Sequence, residues 1–205
     1  MKSQIYIIDE AEGGSMLNRS TTNIDAFYHY YPRNTAAVGA TLEGRSNLMA
    51  VAWSAPLSFK PPMYGVLIAE KRFTFHLIKR SGEFSVNFLP YDKLDVMHAF
   101  GRTSGKEVDK LAKMNLRIRK ALKTGTPILE DSYAALECVL KDTRDYGDHT
   151  LFAGEVVAAH YDDRLFDAEG IIRIEELDPI LYLGNNQYAT SRRDSRMIKP
   201  PEIRL

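Results

Sequence analysis

The sequence predicts a strand-rich α+β domain whose sheet is an antiparallel barrel. Two patterns carry that expectation. Extended apolar runs follow one another at hairpin spacing, and helical segments are few and do not alternate regularly with them. That arrangement favours a barrel over a doubly wound parallel sheet. With 205 residues and 44% hydrophobic content, one domain can bury a core without a disulfide or a structural metal.

The elements follow in chain order. Residues 1–23 read as an extension, in which 5–8 suit a short strand and the Glu-Gly-Gly-Ser within 9–15 makes a flexible joint. The domain proper spans 24–189. Residues 35–42 are small and β-tolerant, Glu43-Gly44-Arg45 is a turn, and 46–54 form one further extended run. Pro61-Pro62 bar helix and hold Lys60 extended, and 63–69 follow as an apolar strand. Residues 74–81 are ambiguous, because Phe73, Phe75 and Leu77 alternate as in a strand. Thr74 as N-cap, Lys79 and Arg80 in the last turn, and Gly82 beyond it favour a short helix. Residues 84–88 alternate as a strand. Helical spacing recurs over 91–100 and 106–114. Residues 133–145 and 150–160 form a long hairpin around Tyr146-Gly147-Asp148, with Leu136, Cys138 and Leu140 on one face and Phe152, Val156 and Ala158 on another. Strands over 171–177 and 180–183 close the domain. Residues 190–205, with four Arg and Pro200-Pro201, form a tail or arm.

Composition excludes several classes. Lys+Arg and Asp+Glu are 27 each, so the net charge is zero. A nucleic-acid protein would carry a basic surplus. The same balance does little to oppose self-association. The single cysteine, Cys138, sits in an apolar run and reads as a buried, inert thiol. No run approaches the ~18 apolar residues of a membrane span, and residues 1–10 do not resemble a signal peptide, so a cytoplasmic protein is expected. Neither G-x-G-x-x-G nor G-x-S-x-G nor H-E-x-x-H occurs. Gly101 to Lys106 is one residue short of a P-loop, and Glu107 stands where a Mg²⁺-binding hydroxyl is needed. The five histidines are scattered, which argues against a metal site, and His29, His98 and His160 read as structural.

Three segments are candidates for chemistry. In Asn47-Leu48-Met49-Ala50-Val51-Ala52-Trp53-Ser54, small residues would let a flat ligand approach the backbone. A core strand is the blander alternative. In Lys71-Arg72-Phe73-Thr74, Arg72 and the first amides of a helix would suit a phosphate; a capped helix with a solvated charge pair is the blander alternative. Gly147-Asp148-His149-Thr150 puts a titratable imidazole at a hairpin tip, or is only a turn.

Taken together, Asn47 to Trp53, Ser58 to Pro62, Arg72 to Thr74, Ser81 to Asn87, Gly147 to Val156 and Leu181 to Tyr188 resemble the flavin reductase-like, FMN-binding split-barrel family that includes flavoredoxin. The resemblance implies a mainly β, antiparallel split barrel with Greek-key topology and a few peripheral helices. It implies a homodimer binding FMN non-covalently. Asn47, Leu48, Met49, Ala50, Val51, Trp53 and Ser54, with Ala69, would border the flavin. Arg72 and Thr74 would hold the phosphate, and the Ser104-Gly105-Lys106 loop would approach from one side. Ala50 or Ala52 stands where many relatives carry a hydroxyl, so one hydrogen bond comes from backbone or is lost. The implied activity is hydride transfer from NADH or NADPH to the flavin, with His149 as a candidate contact and a small molecule or protein as acceptor. The alternatives are an electron carrier with tightly bound FMN and a protein partner, and a non-catalytic binding barrel.

Overall fold

The computed structural model describes residues 5–7, 19–22, 24 and 28–196. The chain divides into two compact units, Met1–Tyr31 and Pro32–Leu205. In the first, β1 (Ile5–Ile7) pairs antiparallel with β2 (Arg19–Thr21). The expected joint over 9–15 lies outside the described residues.

The second unit holds β3 (Arg33–Asn34), β4 (Ala36–Leu42), β5 (Arg45–Val51), β6 (Ser54–Phe59), β7 (Pro62–Ile68), α1 (Phe73–Ser81) and β8 (Glu83–Phe88). A 3₁₀ turn at Tyr91–Lys93 leads into α2 (Leu94–Arg102), followed by α3 (Lys110–Lys113), β9 (Ile118–Arg119) and β10 (Ile128–Leu129). The chain ends with β11 (Ala134–Tyr146), β12 (His149–Tyr161), β13 (Leu181–Gly184) and β14 (Gln187–Ala189). The main sheet has seven antiparallel strands in the order β5-β4-β8-β11-β12-β7-β6. After the β6–β7 hairpin the chain crosses through α1 and lays β8 beside β4, which makes the Greek-key order of an antiparallel split barrel.

Turn chemistry sets these pairings. Glu43 and Gly44 both have positive φ, 52° and 77°, as a two-residue primed turn between β4 and β5 requires. Gly147 opens the β11–β12 turn at φ 62°. The core forms where α1 meets the sheet. Thr74, Phe75, Leu77 and Ile78 are the buried face of α1. Phe75 and Ile78 pack with Val38, Val66, Phe84, Val86, Cys138 and Phe152. The Cys138 thiol is fully buried, and burial together with the Glu137 charge pushes its pKa up to about 12. It is core filling.

A second set of interactions ties residues 120–129 to the barrel. Asn87 Nδ2 donates to the Ala37 and Pro127 carbonyls at 3.1 and 3.3 Å, and its Oδ1 accepts from Leu129 N–H at 2.9 Å. Ser85 Oγ donates to Pro127 O at 2.7 Å. Glu137, fully buried on β11, accepts from the N–H groups of Leu122, Lys123 and Thr124 at 2.7, 2.8 and 2.9 Å. The Thr124 hydroxyl at 3.1 Å and His160 Nε2 at 2.7 Å complete its shell. Burial alone would raise the Glu137 pKa, but these hydrogen bonds outweigh it and hold the carboxyl at about 2.

Several expected boundaries differ. The run 46–54 breaks at Ala52-Trp53 into β5 and β6, and the bend leaves Trp53 38% exposed. Arg72, not Thr74, is the N-cap of α1. The helix expected over 106–114 shrinks to Lys110–Lys113, capped by Asp109 accepting from Ala112 N–H at 3.1 Å. The strand expected over 171–177 does not form. The Asp167 carboxylate accepts from Ile171 N–H at 2.7 Å, and the backbone pair Asp167 N–H to Ile171 O closes a turn there instead. Within the C-terminal arm, Arg193 binds Asp178 at 2.7 Å and Arg196 binds Asp167 at 3.0 Å. Its residues beyond 196 lie outside those described.

Candidate functional site

The site lies where an edge strand, a helix start and a helix end converge. β5 is the end strand of the main sheet, so among the described residues one side of its backbone has no strand partner. α1 begins beside it. Arg72 is extended at the N-cap (φ −81°, ψ 136°) and no side chain caps this end, so the first amides are left for a ligand. α2 ends at Arg102, and residues 103–109 form a strap that runs back past β5. Between these elements is a cavity of about 280 Å³. Asn47, Met49 and Ala50 line it from β5, Lys71 to Thr74 from the start of α1, and Phe100 to Gly105 from α2 and the strap, with Lys110 behind.

Buried polar contacts fix its walls. Asn47 Nδ2 donates to Thr74 Oγ1 at 2.7 Å, both residues being buried. That bond locks α1 to β5 and leaves the Thr74 hydroxyl proton as a donor. Gly105 packs so tightly on β5 that a Cβ there would lie 2.2 Å from Asn47 Oδ1. Only glycine allows that approach. Arg45 Nη2 donates to Gly105 O at 2.5 Å, and its guanidinium lies 4.6 Å from the Phe73 ring centroid. Lys110 is 4% exposed. Its Nζ donates to Leu48 O, the edge carbonyl of β5, and to Thr103 O at 3.1 Å, and it lies 5.5 Å from the Phe100 ring centroid. Burial lowers its pKa to about 8.

Charge defines what the cavity accepts. Lys71, Arg72, Arg102 and Lys110 line it, and no carboxylate does among the described residues. Free amides at a helix start, a hydroxyl donor and four cations form a site for a phosphate-sized anion.

The expected site residues divide by position. Asn47, Met49, Ala50, Arg72, Thr74, Ser104 and Gly105 come together on the cavity. Leu48 and Val51 do not face it. Leu48 is buried with Ala37, Met97 and Phe100, and Val51 with the α1 cluster, because β5 is packed on both faces. Lys106 is exposed beside the cavity, its N–H bonded to Ser104 Oγ. Trp53, Ser54, Ala69 and His149 do not line the cavity either. Trp53 packs against His149 with ring centroids 4.7 Å apart and the planes tilted by 42°, and His149 Nδ1 pairs with Asp148 at 2.7 Å. Ser54 Oγ and Tyr64 Oη are 3.1 Å apart. The two clusters belong to one end of the barrel: Leu67 N–H donates to Trp53 O, Arg72 N–H to Ala69 O, and the Lys71 charge helps lower the Asp148 pKa, after the larger effect of His149.

Sequence reasoning included Lys71 only as part of the 71–74 segment and missed Gly101, Arg102 and Lys110 as site residues. Gly101 to Lys106 failed the P-loop test, yet its glycines, hydroxyls and Arg102 do line an anion cavity. Lys110 left no signal, since helical spacing alone makes it a solvated lysine between Val108 and Leu111.

The model of the flavin reductase like domain matches residues 28–191. The chain belongs to the flavin reductase-like family. Its relatives include an uncharacterized protein of Pyrococcus abyssi, 37% identical over 137 residues, covering 67% of this chain and 78% of that one. A flavin reductase of Pseudomonas putida is 31% identical over 127 residues, 62% and 71% of the two chains. Among solved structures, an FMN-binding protein from Thermus thermophilus with bound 1-cyclohex-2-enone is 37% identical at a TM-score of 0.78, covering 89% of this chain and 98% of that one. Flavoredoxin from Methanosarcina acetivorans is 30% identical at a TM-score of 0.73, covering 83% and 89%. The split-barrel, flavin-binding family expected from the sequence is thus the one found.

Proposed function

We propose that this flavin reductase-like protein binds FMN and reduces it with NADH or NADPH. The observation that carries the reading is the cavity of four cations without a carboxylate at the start of α1. The residues present fit the phosphate of FMN. Arg72 and the Phe73 and Thr74 amides would hold it, with the Thr74 hydroxyl as a further donor, and Gly105 keeps the strap close. Trp53 and His149 offer an aromatic surface at the same end of the barrel for the flat ring. Asp148 holds His149 Nδ1, which leaves Nε2 for a ligand. When bound, FMN supplies the two-electron redox chemistry, and the protein supplies position and electrostatics. No acid–base dyad is required of the chain for hydride transfer.

The test is a visible spectrum of the purified protein, before and after NADH or NADPH under anaerobic conditions. Bound FMN that is bleached by either nucleotide supports the reading. Bound FMN that neither nucleotide reduces points to an electron carrier. A colourless protein that does not take up added FMN overturns both. We also propose a homodimer, from the zero net charge and from Phe59 and Leu57, 92% and 46% exposed on edge strand β6. A monomer mass in light scattering of the FMN-loaded protein overturns that.

A further inference from the structure

A second cavity, of about 230 Å³, lies toward the other end of the long hairpin. β12 begins at His149, beside Trp53, and reaches His160 one residue before its end. His160 lines this cavity, and no residue lines both it and the anion cavity. Its volume falls below the range of about 300–1,000 Å³ usual for drug-sized ligands and suits a single ring.

Three polar groups on its wall are left over by the fold. Arg119 of β9 is exposed, and its guanidinium makes no hydrogen bond or ion pair among the described residues. Ser132 Oγ is buried and makes no hydrogen bond among them either. The third group is His160. Its Nε2 lies 2.7 Å from Glu137 Oε1. The Glu137 carboxyl, held at about 2, is ionised and can only accept. His160 Nε2 therefore carries the proton, and in the neutral imidazole Nδ1 is an acceptor. That lone pair has no donor among the described residues.

Two carboxylates also line the cavity, and both are engaged. Glu130 pairs with Arg117 at 3.2 Å, and Asp162 holds Arg164 through contacts of 2.8 and 2.5 Å. Arg119 is the charge left without a counter-ion. The Tyr161 ring, 63% exposed, forms the apolar wall, set edge-on to Phe166 with centroids 5.8 Å apart.

We propose that this cavity binds a small aromatic carboxylate that also carries a hydroxyl group. The ligand carboxylate pairs with Arg119. The ligand hydroxyl donates to His160 Nδ1, and Ser132 gives its own proton to a ligand oxygen. The ring lies against Tyr161. A buried polar group without a partner is costly, and such a ligand removes that cost at Ser132. A cationic ligand is disfavoured, because Arg119 repels it and the carboxylates that would attract it already hold arginines. The site is separate from the proposed flavin cavity and does not rest on that reading.

The experiment titrates 4-hydroxybenzoate into the purified full chain by calorimetry. Benzoate and phenol serve as controls, each lacking one of the two groups. 4-Hydroxybenzoate is expected to bind, and each control at least about tenfold more weakly. Two variants test the placement without threatening the fold. Arg119→Ala removes an exposed side chain that holds nothing, and Ser132→Ala removes an unpaired hydroxyl. The first is expected to weaken 4-hydroxybenzoate about 10- to 100-fold and the second about threefold to tenfold, with urea midpoints unchanged. No binding at concentrations up to about 10 mM would overturn the inference. Binding that is insensitive to Arg119→Ala, or that added FMN abolishes, puts the ligand elsewhere and overturns it too. Equal affinity for benzoate removes His160 as the acceptor and has the same consequence. Each of these outcomes leaves the flavin reading intact, and a protein that binds no FMN leaves this inference standing.

Discussion

Glu137 and Lys110 are both fully or almost fully buried charges, and each holds a loop against the barrel. They differ in how completely they are satisfied. The Glu137 carboxylate receives three backbone N–H groups, a threonine hydroxyl and His160. Its pKa moves toward the charged form, to about 2. The Lys110 ammonium has two carbonyl acceptors, and its pKa moves toward the neutral form, to about 8. The same degree of burial thus gives opposite outcomes, because hydrogen bonding decides which form the site favours. A saturated charge ties the loop over 120–129 to the barrel, and an unsaturated one ties the strap over 103–109 to β5 beside the cavity.

The largest effect is expected on the saturated side. Glu137→Gln turns an amide NH₂ toward N–H donors, and should cost about 3–5 kcal/mol of stability, the usual range for breaking a buried charge network. FMN affinity of the folded fraction should change less than about twofold, since the loop lies outside the cavity. The pH dependence provides a check. The folded-state pKa of Glu137 is depressed, so its stabilisation is fully present above the unfolded value and is lost as pH falls from about 4.5 through about 2. Urea midpoints for the wild type should drop across that window more steeply than those of Glu137→Gln. Parallel curves would mean that Glu137 is not the anchor described.

A smaller effect, on binding alone, is expected of Arg72→Ala. Arg72 is exposed and caps α1 without a side-chain hydrogen bond, so the fold does not depend on its guanidinium. FMN affinity should fall by about 1.5–3 kcal/mol, the worth of a charge-assisted contact, with the urea midpoint unchanged. An unchanged FMN dissociation constant would remove Arg72 from the site. A large stability loss would erase the contrast between the two regions.

What the sequence made legible follows the same line. Strands, hairpin turns and the end of α1 are local, and Glu43-Gly44, Gly147-Asp148 and Gly82 announce them through backbone preferences that a single chain displays, whereas the α1 start lay two residues before the expected Thr74. Arg72 and Thr74 were reachable because phosphate chemistry has a local signature at a helix start, and Gly105 only through the family resemblance. Lys110 and Glu137 were not. Each looks like an ordinary solvated charge in its own segment, and each is buried by residues about 60 or 15 positions away. Leu48 and Val51 were misplaced for a related reason. Alternation along β5 does not reveal that both of its faces are covered. Residues 171–177 looked like a strand because the run is apolar at its ends, but Asp167 captures its first N–H from outside the run.

Thr74 tests the contrast most finely, because it belongs to both categories. Its Oγ1 accepts from Asn47 Nδ2 inside the protein, and Thr74 lines the cavity with its hydroxyl proton still available to donate. Thr74→Val keeps the shape and removes both roles. It should cost about 1 kcal/mol of stability, as a buried Asn47 donor loses its acceptor, and weaken FMN binding about threefold to tenfold. Thr74→Ser restores the hydroxyl and should recover both. The two readouts separate the roles. If Val lowers the urea midpoint but leaves FMN binding intact, Thr74 serves only to pin α1 to β5, like the groups around Glu137. If it weakens FMN with the midpoint unchanged, the Asn47 bond contributes little, and Thr74 joins Arg72 as a purely ligand-facing group. Loss in both, recovered by Ser, is the result that the geometry requires, since one hydroxyl closes the wall of the cavity and contributes to its floor of donors.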